Sequence, residues 1–118
     1  MCCVEDNIYL VGGEDPRRVT KYNPRTNTLR DMPRLQKEIF CPNVCTLDNK
    51  IFVLGRGINT DTTCEVLDLS EDDPQWRYTA DMNSRHSGTA VVIERKIYFL
   101  AYDESVHVYD VDQGTLCQ

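Results

Sequence analysis

The sequence predicts an all-β fold, an incomplete β-propeller of about three four-stranded antiparallel blades in 118 residues. Three observations predict it. An apolar segment recurs as Ile8-Tyr9-Leu10-Val11-Gly12-Gly13, Ile51-Phe52-Val53-Leu54-Gly55-Arg56-Gly57 and Ile97-Tyr98-Phe99-Leu100-Ala101-Tyr102, at offsets of 43 and 46 residues. Self-similarity at that period marks a solenoid or a propeller. Each copy is followed by the same second segment and the same polar turn, and no stretch holds a capped helical period.

The elements follow in order within each copy. The first strand is Cys2-Cys3-Val4, then Val44-Cys45-Thr46-Leu47, then Thr89-Ala90-Val91-Val92-Ile93. A two-residue turn leads to the second strand. Asp48-Asn49 suits it because both residue types tolerate positive φ, whereas Glu94-Arg95 predicts a looser hairpin. The second strands are apolar without alternation, as expected of a sheet covered on both faces. Third strands follow at Val19-Thr20-Lys21-Tyr22-Asn23, Cys64-Glu65-Val66-Leu67-Asp68 and Val106-His107-Val108-Tyr109-Asp110. A turn then leads to a large apolar residue of the fourth strand: Leu29, Trp76 and Leu116. The spacing is seven residues from Tyr22 to Leu29 and from Tyr109 to Leu116, but nine from Leu67 to Trp76, a two-residue insertion. Met32 and Arg34, then Met82 and Arg85, close the first two copies. The approximate repeats are 1–34, 42–82 and 87–118, within a single repeat region 1–118.

These residues resemble the kelch repeats, whose pattern is an apolar strand ending in Gly-Gly, a Tyr-Asp pair and a Trp, one blade per repeat. Copy one has Gly12-Gly13 and Tyr22, with Asn23 for Asp and Leu29 for Trp. Copy two has Asp68 and Trp76, with Gly55-Arg56 for Gly-Gly and Leu67 for Tyr. Copy three has Tyr109-Asp110, with Ala101-Tyr102 for Gly-Gly and Leu116 for Trp. The turn Tyr22-Asn23-Pro24-Arg25-Thr26-Asn27 looks most like the repeats of adaptor proteins that also carry BTB and BACK domains. The resemblance implies a protein-interaction module, similar to the substrate-recognition half of a cullin-RING ubiquitin ligase adaptor whose BTB part is absent from this chain. It also admits a kelch protein that binds actin or the cytoskeleton, or a fragment of a kelch-fold copper oxidase. The oxidase reading is disfavoured, because His86 and His107 fall on unlike elements and do not converge as copper ligands.

Composition narrows the function classes. The net charge is −6, from 13 basic and 19 acidic residues, which argues against nucleic-acid binding. No apolar run is long enough for a transmembrane helix, and no membrane partner is expected. The segment from Met1 to Asp6 lacks the pattern of a signal peptide, so a cytoplasmic or nuclear chain is expected. Its six cysteines (Cys2, Cys3, Cys41, Cys45, Cys64 and Cys117) are then reduced thiols. Cys45 and Cys64 read as small core residues. Cys41 and Cys45 lack the second ligand pair of a zinc site, and Cys2-Cys3 has Glu5 and Asp6 beside it, which disfavour a reactive thiolate. No nucleophile–base pair or phosphate loop is recognisable, so the chain reads as no enzyme, with no cofactor and no metal. Three blades fall short of the four to eight of a closed ring, which leads us to expect self-association through open blade edges.

The candidate partner-binding residues lie in loops expected at one end of the ring. Loops between second and third strands supply Glu14, Arg17, Arg18, Arg56, Asn59, Tyr102 and Asp103. Loops between blades supply Phe40, Arg85, His86 and Ser87. Arginine and aromatic side chains there give large contact area and directional hydrogen bonds to a peptide segment. Arg56 and Tyr102 stand where the repeat has Gly, so large side chains project at those strand mouths. His107, matched by Thr20 and Glu65, reads instead as a sheet-face position.

Overall fold

The structure is a computed structural model, and it describes residues 2–56, 62–81, 88–101 and 104–117. Among them are twelve strands and no helix. Blade one is β1 (Cys2–Val4), β2 (Asn7–Val11), β3 (Val19–Asn23) and β4 (Thr28–Asp31). Blade two is β5 (Phe40–Leu47), β6 (Lys50–Arg56), β7 (Thr62–Asp68) and β8 (Arg77–Asp81). Blade three is β9 (Gly88–Ile93), β10 (Lys96–Ala101), β11 (Val106–Asp110) and β12 (Thr115–Cys117). Each blade is an antiparallel meander with its strands in sequence order. The first strands lie side by side, β1 against β5 and β5 against β9, which makes them the innermost of a partial propeller. Asn43 Nδ2 donates to the Gly88 carbonyl at 2.9 Å and ties two of these inner strands together. A Cβ at Gly88 would overlap the Leu100 carbonyl, so this position requires glycine.

The turns close as the residues dictate, with one exception. Asp48 and Asn49 both take positive φ, at 53° and 62°, as a type I′ turn demands. The second such hairpin is not looser. Ile93 pairs with Lys96 just as Leu47 pairs with Lys50, so both loops are two residues long. Only Glu94 takes positive φ, at 57°. Arg95 holds that turn from outside by ion pairs to Asp48 and Asp112.

The core lies between blades. Tyr9 and Val19 of blade one meet Ile51, Val53, Leu67 and Trp76 of blade two. Phe52, Leu54 and Cys64 on the other face of blade two meet Ile97, Phe99 and Tyr109 of blade three. Successive β6 residues thus point into two different cores, which is why that strand is apolar without alternation. Coverage on both faces holds for β6 alone. In the outer blades Leu10 is 42% exposed and Leu100 is 48% exposed. Val91, Ile93 and Val106 share the open face of blade three with Leu100, as the register of β9, β10 and β11 requires. Leu29, in the slot that Trp76 fills in blade two, is exposed because no blade precedes it in this structure.

Candidate functional site at the loop-bearing end

The end of β2 and the crossover between blades one and two lie at the same end of the molecule. Gly12 and Gly13 end β2 with φ of 87° and 109°, a backbone that favours glycine, and turn the chain into the loop before β3. That loop is fastened to the crossover between blades one and two. The Leu35 amide donates to the Arg17 carbonyl at 2.9 Å, and Arg17 Nε donates to the Leu35 carbonyl at 2.7 Å. Arg34 pairs with Asp15 at 2.6 Å, and Arg18 with Asp31 at 3.3 Å. The Asp15 carboxyl sits below the usual carboxylate range because it accepts from the Arg17 amide and from Arg34.

The crossover is anchored from blade two as well. Glu65, in β7, is fully buried, and its two carboxylate oxygens accept from the amides of Gln36 at 2.8 Å and Lys37 at 3.1 Å. Gln36 Nε2 donates to the Trp76 carbonyl at 2.6 Å, and Trp76 Nε1 donates to the Pro33 carbonyl at 2.7 Å. Leu35 and Ile39 plug the interblade core. Gln36, Lys37 and Glu38 are left exposed on a backbone that these bonds fix, with Lys37 Nζ 4.7 Å from the Tyr78 ring centroid.

Glu65 is the residue that strand matching misplaced. Its equivalents Thr20 and His107 are buried too, so this is an interior position rather than a tolerant sheet face. A lone carboxylate between Cys64 and Val66 in an apolar strand was the available signal, because a buried charge needs partners. His107 stands 6.3 Å from the Phe99 ring, and its Nε2 is 3.3 Å from Ser105 Oγ.

The sequence-selected residues divide into three groups. Glu14, Arg17 and Arg18 are brought together on the blade-one loop: Glu14 is exposed, Arg17 braces the crossover and Arg18 holds Asp31. Phe40 and Arg56 are backbone partners at the upper limit of β5 and β6, beside an irregularity between Phe40 and Asn43. Asn59, Arg85, His86, Ser87, Tyr102 and Asp103 lie outside the described residues.

The opposite end carries the hairpin turns. There the Arg95 hydrogen bonds hold the carboxyls of Asp48 and Asp112 below their ordinary range. Cys2, Cys3, Cys45 and Cys64 are free thiols. Burial pushes Cys45 up to about 11 and Cys64 up to about 12. Cys2 is raised as well, chiefly by its own burial and with Cys3 adding, rather than by Glu5 and Asp6. Among the described residues no three His, Cys, Asp or Glu side chains are grouped to hold a metal ion.

No protein-family model matches the chain. It is similar to an F-box/kelch-repeat protein of Arabidopsis thaliana, with 28% identity across 94% of this chain. The chain spans 30% of that relative's length. The three four-stranded sheets stand as successive blades, and the similarity is to a kelch-repeat protein.

Proposed function

We propose that the chain is a non-catalytic protein-interaction module that holds a peptide segment of a partner on its loop-bearing end. The observation that carries this reading is the double fastening of the first crossover. Arg17 grips it from the loop of blade one, and Glu65 grips it from the interior of blade two. Loops on a rigid scaffold bind without first paying to be ordered. The kelch-repeat relative supports interaction as the general role.

The finer reading is recognition of a substrate for a ubiquitin ligase. The relative is named for an F-box and a kelch repeat, not for a BTB domain, so support falls on the repeat portion. Free cysteines fit a reducing compartment, the cytoplasm or nucleus. The apolar open faces of blades one and three support self-association of the chain as it stands.

The test is capture of partners by the wild-type chain and by Arg56→Ala, His86→Ala and Tyr102→Ala, with Asn27→Ala and Asp48→Ala as controls on the opposite end. A central contact residue typically costs ~2 kcal/mol on truncation, about thirtyfold in affinity. Capture lost with the first three and kept with the controls supports the reading. The reverse pattern in folded variants overturns it.

A further inference from the structure

The two-residue insertion between Leu67 and Trp76 builds one wall of a groove. The groove lies between blades one and two, has a volume of about 500 Å³, and is floored by Tyr9, Met32 and Leu69. Its blade-two wall is Glu71, Asp72 and Asp73, all in the lengthened β7–β8 loop. Its blade-one wall carries the cations Lys21 and Arg30, with Glu5 also in the lining.

Apart from Glu5, the walls carry opposite charges, and the two cations are not paired with the carboxylates of the blade-two wall. Lys21 and Arg30 are direct cross-strand partners, an arrangement in which like charges repel. Neither has an ion pair or hydrogen-bond partner among the described residues. Arg17, Arg18, Arg25, Arg34, Arg77 and Arg95 all do. Across the groove, Glu71 spends Oε2 on Arg77 at 2.7 Å, while Oε1 is cut off from solvent with no partner among the described residues. Glu71 is thus engaged within blade two, and the carboxylates left to the groove are those of Asp72 and Asp73. A smaller recess of about 270 Å³, lined by Asn7, Asn23, Thr28 and the same two cations, contains no carboxylate.

We propose that this groove is a second binding site, for an extended peptide segment carrying an acidic side chain that lies on Lys21 and Arg30 and a basic side chain that lies on the exposed carboxylates of Asp72 and Asp73. The apolar floor takes the stem of the basic side chain, and the recess of amides and hydroxyl takes the acidic one. Both walls and the floor belong to blades one and two. The site therefore stands independently of the loop-bearing end and of whatever covers the outer blades.

Trp76 supplies the readout, because its indole N–H is bonded to Pro33, which lines the groove. Its fluorescence is followed while three capped hexapeptides are added to the intact chain: Glu-Glu-Gly-Gly-Lys-Lys, all-Glu and all-Lys. The mixed peptide is expected to bind about tenfold tighter than either single-sign peptide at equal ionic strength, since it alone complements both walls. The pair Lys21→Ala with Arg30→Ala, and separately Asp72→Ala with Asp73→Ala, are expected to bring the mixed peptide down to the single-sign level. Lys96→Ala, on blade three, is expected to leave it unchanged. The Lys21/Arg30 variant is also expected to melt no lower than wild type, because it relieves a repulsion, which separates lost binding from lost folding. Equal binding of the all-Glu and mixed peptides, indifference to either wall, or no binding of the mixed peptide overturns the proposal.

Discussion

Trp76 and Leu29 occupy the same repeat position and have opposite surroundings, so substituting each tests the phase of the blades. Trp76 is 2% exposed and Leu29 is 62% exposed. Trp76 packs among Leu35, Ile51, Val53 and Leu67 in the core between blades one and two, and its N–H ends on Pro33. Removing a buried indole forfeits transfer energy and leaves a cavity, a loss of roughly 3–5 kcal/mol. Small domains hold only about 5–15 kcal/mol in total, so Trp76→Ala is expected to take a large share of the stability. Trp76→Phe keeps most of the ring but strands the Pro33 carbonyl, and is expected to cost about 1–3 kcal/mol. Leu29→Ala removes a side chain that is mostly in water and is expected to cost under about 1 kcal/mol. Urea unfolding followed by circular dichroism measures all three. Equal midpoints for Trp76→Ala and wild type, or a larger loss from Leu29→Ala than from Trp76→Ala, would refute the assignment of these two residues to one slot in successive blades.

Arg95→Gln is expected to lower the melting temperature at neutral pH and to match wild type in acid. The carboxyls of Asp48 and Asp112 lie below their ordinary value in the folded state. Their contribution is therefore complete above about pH 4 and lost as the pH falls through the lower folded values, and a constant offset at every pH would contradict this. Cys3 is expected to react with a thiol reagent in the native chain while Cys45 and Cys64 stay protected, with all six thiols titrating after denaturation without reductant. Unfolded thiols ionise near 8.5 but burial holds these two to about 11 and 12, so stability is expected to fall as the pH rises above about 8.5, and fast native labelling of Cys64 would overturn that. The isolated chain is expected to self-associate or precipitate through its open blade faces, and a monodisperse monomer with a sharp unfolding transition in analytical ultracentrifugation and melting experiments would contradict it.

What could be read in the sequence was whatever each repeat fixes by itself. The second strands, the Asp48-Asn49 turn, the buried thiols of Cys45 and Cys64 and the slot for Trp76 are local or periodic features, and the structure has them where the repeats place them. Properties that depend on a neighbouring blade were not legible. Leu10, Leu29 and Leu100 look like their buried equivalents, and only the absence of a covering blade in this structure separates them. The Glu94-Arg95 turn closes tightly through ion pairs to residues that are distant in sequence. Glu65 takes the same repeat position as Thr20 and His107. Its role rests on the backbone amides of a crossover that carries no motif. The groove was half visible: the insertion before Trp76 announced a longer loop, but the cations it faces are scattered over β3 and β4.

Photo-crosslinking compares the two ends directly. A photoreactive residue is placed singly at Arg56, which ends β6, or at Tyr102, which the repeat pattern assigns to the same end, and at Asn27 or Asp48, in turns of the opposite end. If the loop-bearing end holds the partner, Arg56 and Tyr102 are expected to give adducts to the same protein, and Asn27 and Asp48 none. Adducts to a shared partner from Asn27 and Asp48, with none from Arg56 and Tyr102, would contradict the proposed function.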